Sequence, residues 1–528
     1  MRSVFALVLT SFLAASAVAC SSARKPHEVS PALETIVSGK PLPNVEPAVW
    51  TDVRAFYTQR EYAPAWVDNR RPTSRAADAI TVLNTARRHG FSPDDYGAKQ
   101  LLAMSQEVEK IDKESPQRLQ HNAEFDATLT AALLAFGRDV AVGRAKDPRW
   151  KSQRKAPDFV AALAKVADGD AKDWVDAMRP PHAEYDALAE ALDALHGQKE
   201  KGGWVRVPAI AKPGASGAAV VALRQRLSAS GHLKGDPAAS SAYDEDVEAA
   251  VKSFQELHSI KATGIVDQPT LVALNVPLEA RIRQVALNLQ RWRWMPDDLG
   301  DRHFLVNVPY FHLIAREHGK PVMDIRVVVG KVGNNTPLFS DEMESVVFSP
   351  YWNIPDSIAQ GETLPAIARD PNYLARQNIE IVRTSGGEAV NAGDVDWSDP
   401  EALKGFAFRQ RPGSGNALGH VKFLFPNAHN VYLHDTPADN LFGKPTRAFS
   451  HGCIRVEEPE QLAKYVLRDY PEWDEASIGA AMHSGVEKHV KLKEKIPVHI
   501  VYLTSWVDEN GGLHFQPDIY GYDQSTEN

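Results

Sequence analysis

At 528 residues the chain is too long for one ordinary domain, and roughly two to four are expected. Hydrophobic residues at 43% and charged residues at 24% match an ordinary soluble globular protein. The net charge of −9 is mild over this length and no dense Lys/Arg stripe accompanies it, so nucleic acid is not expected as a partner.

Residues 1–20 read as an export signal. Arg2 gives the positive start, Val4 to Leu13 the short apolar run, and Ala17-Val18-Ala19 the small residues before cleavage. That run is too short to cross a bilayer, and no later segment approaches the ~20 apolar residues a spanning helix needs. Cys20 follows Ala19 directly, which resembles a bacterial lipoprotein cleavage site where the cysteine is lipidated, although the usual leucine three residues earlier is Ala17. The competing reading is simple cleavage by a general signal peptidase. Either way the body of the protein is expected outside the cytoplasm, in the periplasm; in the lipoprotein reading the lipid anchor is its sole tie to a membrane.

Residues 21–49 carry scattered Ser and Pro without periodicity and read as a tether. Residues 50–205 are helical in pattern. Val53, Phe56 and Tyr57 fall at i, i+3, i+4, and His89-Gly90 followed by Ser92-Pro93 reads as a glycine cap and a new helix start. A helical scaffold is the plain reading.

The next unit, 210–276, has two amphipathic helices marked by Val220, Leu223, Leu227 and by Val247, Val251, Phe254. Asp267 is placed to cap a third, short one. Ser253-Phe254-Gln255 and Thr263-Gly264-Ile265-Val266-Asp267 resemble the peptidoglycan-binding domain of bacterial wall enzymes; a spacer that has lost binding is the alternative. A helix within 277–300, ending Arg291-Trp292-Arg293-Trp294, returns the chain to the scaffold.

From 301 to 510 the pattern is mostly β, with runs such as Phe304–Val308, Phe311–Ala315, Ile325–Val329, Val421–Phe425, Val431–Leu433 and Val498–Leu503. An excursion at 356–419 is not strand-like, and Ser357 to Leu374 reads as helical. An excursion of ~60 residues between two strands is unusual unless it covers something, so a lid is expected. Residues 511–528 read as a tail.

The chain holds two cysteines. Pairing them would tie an N-terminal tail to the most motif-like point of the chain and gain little, so Cys453 is read as a free thiol with chemistry to do. It lies in Ser450-His451-Gly452-Cys453-Ile454-Arg455, with Tyr432 and His434 on one face of an upstream strand end. Gly452 lets the backbone bend so that successive N–H groups can converge on an oxyanion. A thiolate at Cys453 would attack a carbonyl carbon, and an imidazole would take its proton and return it to a leaving amine. His434, from a separate strand, can approach freely. His451, two residues from the thiol across a glycine bend, diverges and shapes the turn. A zinc site lacks a second cysteine, and the histidine precedes the cysteine, unlike a papain-type protease.

His434 with Ser450-His451-Gly452-Cys453-Ile454-Arg455 resembles the signature of the L,D-transpeptidases, cysteine enzymes of bacterial cell-wall synthesis. Tyr351-Trp352-Asn353-Ile354-Pro355, Asn416-Ala417-Leu418-Gly419, Lys422-Phe423 and Tyr432-Leu433-His434-Asp435-Thr436-Pro437 resemble the large multidomain branch of that family. The resemblance implies a multidomain α+β chain: helical scaffold, small three-helix peptidoglycan-binding-like domain, and mostly β catalytic domain with a partly helical capping insertion.

It further implies Cys453 as nucleophile, His434 as general base and acid, and backbone N–H groups at Gly452 and Cys453 as the oxyanion hole. Tyr432, His451, Arg455 and Trp352 would bind substrate, with a structural salt bridge as the other use for Arg455. No metal or organic cofactor is required. The implied reaction forms 3→3 cross-links between peptidoglycan tetrapeptide stems, releasing D-alanine, and is sensitive to carbapenems. Other wall-synthesis enzymes are further partners. Two other readings remain: an L,D-carboxypeptidase or amidase-type hydrolase working through the same acyl-enzyme, and a non-catalytic wall-binding scaffold.

Overall fold

The computed structural model describes residues 27–395, 397 and 404–524. The export signal, Cys20 and the start of the tether lie outside the described residues. The chain divides into two compact units, one of Met1–Ile80, Lys99–Leu134 and Val160–Ala171, the other of Thr81–Ala98, Ala135–Phe159 and Lys172–Asn528.

In the first unit the expected tether is not featureless. Ser30–Ser38 is a helix that buries Leu33 and Val37, and Pro47–Gln59 is another that buries Val53, Phe56 and Tyr57. Leu33 and Val37 stand four apart, one turn of helix, and two of the prolines that suggested a linker, Pro31 and Pro47, sit in first helical turns, where a missing N–H costs nothing. The break after the second helix is organised by Asp126, a fully buried carboxylate. It accepts from the Tyr57 hydroxyl at 2.6 Å, the Ala65 N–H at 3.0 Å and the Trp66 N–H at 2.7 Å. Each contact answers part of the cost of burying that charge.

The second unit has one continuous apolar core running from Tyr185, Leu188 and Leu192 through Val285, Leu289 and Trp292 into the β domain. The helix Leu278–Trp292 is its spine. Arg291 and Arg293 are both 1% exposed, an unusual place for guanidinium groups. Arg291 pairs with Asp523 at 2.8 Å. Arg293 donates to the carbonyls of Val140 at 3.0 Å and His89 at 2.7 Å and to the Tyr185 hydroxyl at 3.0 Å. The Arg-Trp-Arg-Trp run thus fastens this helix to the helical segments before it and to the end of the chain.

The small unit has three helices, Ala218–Ala229, Glu245–Leu257 and Gln268–Leu274, around Leu223, Leu227, Val247, Val251 and Phe254. Asp244 caps the second through the Val247 N–H at 3.1 Å, and Asp267 the third through the Thr270 N–H at 3.0 Å. The motif residues are architectural: Gln255 is fully buried, accepts from the Gly264 N–H at 2.9 Å and donates to the Ile265 carbonyl at 2.8 Å.

In the β domain the strands are β1 Arg302–Asn307, β2 His312–Glu317, β3 Lys320–Gly330, β4 Phe339–Phe348, β5 Trp352–Asn353, β6 Ile379–Arg383, β7 Ala389–Val390, β8 Phe406–Gln410, β9 Val421–Leu424, β10 Leu433–His434, β11 Ala448–Ser450, β12 Ile454–Val456 and β13 Lys488–Val501. The main sheet has nine strands in the order β11-β3-β12-β10-β9-β4-β13-β1-β2, and β2 also pairs with β3. That last pairing closes the sheet on itself and gives β2 a partner on both sides, with the short β11 left at the rim on β3. Val327, Phe423, Leu433, Ile454 and Val456 are completely buried in its core.

The excursion between β4 and β9 differs from expectation. It contains a sheet of its own, β5-β8-β6-β7, beside the expected helices Asp356–Ile358, Leu364–Arg369 and Tyr373–Arg376. Ile379 to Arg383 and Phe406 to Gln410 alternate in the two-residue period of a strand, which the flanking Ser-Gly-Gly and Pro-Gly-Ser-Gly loops obscured. Ile354, Leu374, Ile381 and Phe408 give the insertion a separate small core. Asn416 pins its ends together, donating to the carbonyls of Pro350 and Arg411 at 3.0 Å each.

The described part of the expected tail is also folded. Ser505–Val507 pairs antiparallel with Leu513–Phe515, and Tyr520 and Tyr522 pack against Tyr502.

Candidate active site

Strand register assembles the site. β10 pairs parallel with β12, Leu433 opposite Ile454 and His434 opposite Arg455, and it pairs antiparallel with β9, Lys422 opposite His434. Leu433 and Ile454 point into the core. Alternation therefore sends Tyr432, His434, Cys453 and Arg455 to the other face, where they line one cavity of about 820 Å³ together with Lys422. Trp352 and His451 line the same cavity. Tyr432 and His434 lie edge to face, ring centroids 5.7 Å apart.

The turn carrying the thiol is held from beneath. Gly452 has φ 120, a conformation that requires glycine. The Ser450 hydroxyl donates to the Cys453 carbonyl at 2.5 Å and accepts the Gly452 N–H at 3.1 Å. Gly452 was expected to offer that N–H to an oxyanion; here the serine hydroxyl takes it, because an Oγ two residues back closes a local turn. The Thr336 hydroxyl, fully buried, donates to the Gly452 carbonyl at 2.8 Å and accepts the Gly330 N–H at 2.9 Å. Gly330 is needed for that approach, since a Cβ there would meet the Asn334 carbonyl at 2.0 Å. The Tyr520 hydroxyl completes the brace on the Gly330 carbonyl at 2.5 Å. Thr336→Val keeps the shape and removes the bond to Gly452. It is expected to slow acylation of Cys453 about 10-fold and to cost about 1–3 kcal/mol, since two buried groups lose their partner. Single-turnover labelling and urea unfolding measure the two effects; an unchanged acylation rate counts against the brace.

His434 is 4% exposed. Its Nδ1 lies 2.5 Å from the Asp435 carbonyl, which can only accept, so Nδ1 carries the proton and Nε2 keeps its lone pair. Burial, assisted by the positive charges of Arg455 and Lys422, pulls its pKa down to about 3. The imidazole is neutral throughout the ordinary pH range, as a general base must be. Cys453 is a free, partly buried thiol whose Sγ donates to the Asn430 carbonyl at 3.7 Å. Burial raises its pKa, and the Tyr432 N–H, the Tyr432 hydroxyl and Arg455 oppose that rise.

The insertion supplies the opposite wall, with Trp352 to Ile358 and Glu362 lining the cavity. Glu362 reaches across to His451, Oε1 to Nε2 2.8 Å. The structure thus gives His451 a partner on the insertion. Lys422 was quoted in the sequence motif without a role. Its Nζ reaches the Tyr351 carbonyl at 3.3 Å and Glu487 at 3.7 Å, which fixes the strand where the insertion departs. Its signal was register with His434, invisible until the strands are paired.

Comparison with known proteins follows the same divisions. Residues 51–192 match a scaffold domain, 216–274 a peptidoglycan binding domain, and 301–496 an L,D-transpeptidase catalytic domain. A Haemophilus influenzae protein named as an L,D-transpeptidase is 35% identical over 248 residues, 47% of this chain and 49% of its own length. The chain therefore spans about half the length of that curated relative. Among solved structures, an L,D-transpeptidase of Mycobacterium smegmatis is 11% identical, covering 38% of this chain and 58% of its own, with a TM-score of 0.18. One from Xylanimonas cellulosilytica is 14% identical, covering 56% and 98%, with a TM-score of 0.16. Overlays at these scores carry no argument. The domain matches do: the chain joins a scaffold domain and a peptidoglycan-binding domain to a β-rich L,D-transpeptidase catalytic domain.

Proposed function

We propose that the protein forms 3→3 cross-links in peptidoglycan through a thioester on Cys453. The observation that carries this is one cavity holding the chain's body thiol, a neutral imidazole with its Nε2 lone pair free of the backbone, and a phenol beside the sulfur.

In the proposed cycle a tetrapeptide stem enters with the carbonyl of its third residue at Cys453. His434 Nε2 takes the thiol proton as sulfur attacks, and the C–N bond to the terminal D-alanine breaks as His434 returns the proton to that nitrogen. The oxyanion accepts from the Cys453 N–H and the Tyr432 hydroxyl, with Gly452 supplying the bend. The side-chain amine of a second stem's third residue then attacks the thioester, and its proton passes through His434 to the departing sulfur. Trp352 lines the donor's path. The insertion, tied down by Glu362 on His451, limits water at the thioester. The small helical domain holds the enzyme on its polymer, and Cys20 carries a lipid that anchors it in the periplasm.

Incubation of the purified protein with disaccharide-tetrapeptide, beside Cys453→Ala, tests this by mass spectrometry. A cross-linked dimer with D-alanine release is expected from the native protein and neither product from Cys453→Ala. Tripeptide alone assigns the hydrolase; activity in Cys453→Ala overturns the mechanism.

A further inference from the structure

The hairpin of Ser505–Val507 and Leu513–Phe515 turns two rings away from the core. Val507 and Leu513 pack on the apolar core, so the cross-strand pair one position along, Trp506 and His514, faces outward. Those two rings stack, centroids 4.7 Å apart and planes 7° apart. Tyr310 meets Trp506 at 4.6 Å and stacks on His312 at 4.1 Å. Carboxylates stand at both ends: Asp508 lies 2.8 Å from His514 Nε2 and Asp324 lies 2.5 Å from His312 Nδ1. Trp506 and Tyr310 are half-buried. Among the described residues neither the Trp506 indole N–H nor the Tyr310 hydroxyl has a hydrogen-bond partner, and neither is sealed from solvent. Burial pushes the Tyr310 hydroxyl up to about 12, so it stays a donor.

We infer that these four rings form a saccharide platform, which seats the glycan strand of peptidoglycan outside the catalytic cavity. This rests on peptidoglycan being the polymer acted on, as proposed above. A sugar ring has apolar C–H faces that pack on aromatic rings, and a rim of hydroxyls and amides that needs donors and acceptors. The platform offers both: flat rings, an indole N–H, a phenol and two carboxylates. A stem peptide fits poorly, since its own carboxylates would meet Asp324, Asp508 and Glu509, whose charges all reach Tyr310. Position favours the glycan as well. Arg455, on the cavity face, stands opposite Val328 of β3, and Arg326 and Asp324 follow on that same face. His312 stands opposite Arg326. The platform thus begins four residues along β3 from the partner of Arg455, about 13 Å at the rise of a strand. On the hairpin's other face, Phe515 lies against His258 of the small domain, ring centroids 5.5 Å apart. A strand with one stem in the cavity therefore passes over the platform on its way to that domain. The competing role for the rings is packing of the hairpin alone.

The test uses the full-length protein and the hexamer of N-acetylglucosamine, a neutral sugar chain without stems. Calorimetric titration should show saturable binding, weakened roughly 10-fold in Trp506→Ala and about 3-fold in Tyr310→Phe, which removes only the hydroxyl. Turnover gives an independent readout. Trp506→Ala should raise KM for glycan chains carrying tetrapeptide stems while kcat holds, and leave the sugar-free tetrapeptide unchanged. Absence of saturable hexamer binding by the native protein overturns the inference. So does native affinity in both variants, which leaves binding to the small domain and the rings as packing; a lowered urea midpoint with unchanged affinity has the same meaning. If Trp506→Ala does not fold, Tyr310→Phe decides alone. Hexamer binding that depends on Trp506 and Tyr310, with no turnover on any donor, keeps the platform and brings down the acyl-transfer reading instead.

Discussion

His434→Ala is expected to slow acylation of Cys453 by about 10²- to 10⁴-fold at neutral pH, the usual worth of a positioned base. The larger commitment is the shape of the native pH profile. Burial between Arg455 and Lys422 holds the His434 pKa near 3, and burial raises that of Cys453 above its ordinary value. At neutral pH the resting pair is therefore thiol and neutral imidazole, not thiolate and imidazolium. Proton transfer must accompany attack. Acylation should then be nearly level from about pH 4 to pH 8, with no acid limb near the ~6.5 of a free histidine. Acylation by a neutral ester, followed by mass spectrometry across pH, measures this. A limb centred near 6.5 in the native protein, lost in His434→Ala, would mean the imidazole titrates as an exposed one and that the cavity is wet when it acts.

The resting geometry adds a detail. The Cys453 thiol points at the Asn430 carbonyl, and the N–H and hydroxyl of Tyr432 also act on the sulfur. Register explains this, because His434 stands opposite Arg455 and Tyr432 comes level with Cys453. Sulfur must swing off Asn430 to share its proton with Nε2, directly or through one water. Substrate entering beneath the insertion is well placed to cause that movement.

Much of this was legible in the residues alone. Tyr432 and His434 on one face, a glycine bend before a lone thiol, and an excursion long enough to need a purpose are local patterns, and local patterns survive without coordinates. The three short helices of the small domain were readable for the same reason, since Val220, Leu223 and Leu227 share a face through spacing. What did not come through depends on distant partners. Thr336 braces the Gly452 carbonyl from more than a hundred positions away, and nothing near either residue announces it. Glu362 on His451 and Lys422 beside His434 are likewise consequences of strand pairing. The insertion's sheet was missed for another reason: its strands are short and framed by glycine-rich loops, whose loop signal outweighed the alternation. Leu33 and Val37 were missed because proline in a first helical turn looks the same as proline in a linker.

The second unit is expected to lose stability as pH falls below about 6.5. Histidines lowered by burial drive this, His182, His196, His258 and His303 among them, and four more carry the argument. Burial, the largest cause in each case, lowers His89 and His434 to about 3 and His232 and His499 to about 4. Neighbouring cations act in the same direction, Arg293 on His89 and Arg226 on His232. The sign follows from proton counting. Between pH 6.5 and about 4 the unfolded chain binds protons at these rings and the folded unit does not, so acid favours unfolding. The stabilising contribution is complete above the unfolded value and is lost progressively toward the folded ones. Each ring contributes a slope approaching about 1.4 kcal/mol per pH unit. Some groups oppose the trend: burial raises Asp186, Asp435 and Asp523, so the folded unit takes up their protons first on acidification and they offset part of the slope. Urea unfolding at pH steps between 7.5 and 4.5 measures the slope. His499, whose two ring nitrogens contact Ser340 Oγ at 2.7 Å and the Leu299 carbonyl at 2.9 Å, is the ring to vary. His499→Gln should lower stability at pH 7.5 yet flatten the slope by about one proton. A stability level from pH 7 to pH 5 in the native protein would mean the four rings accept protons while folded, and the neutral imidazole assigned to His434 would fall with the other three.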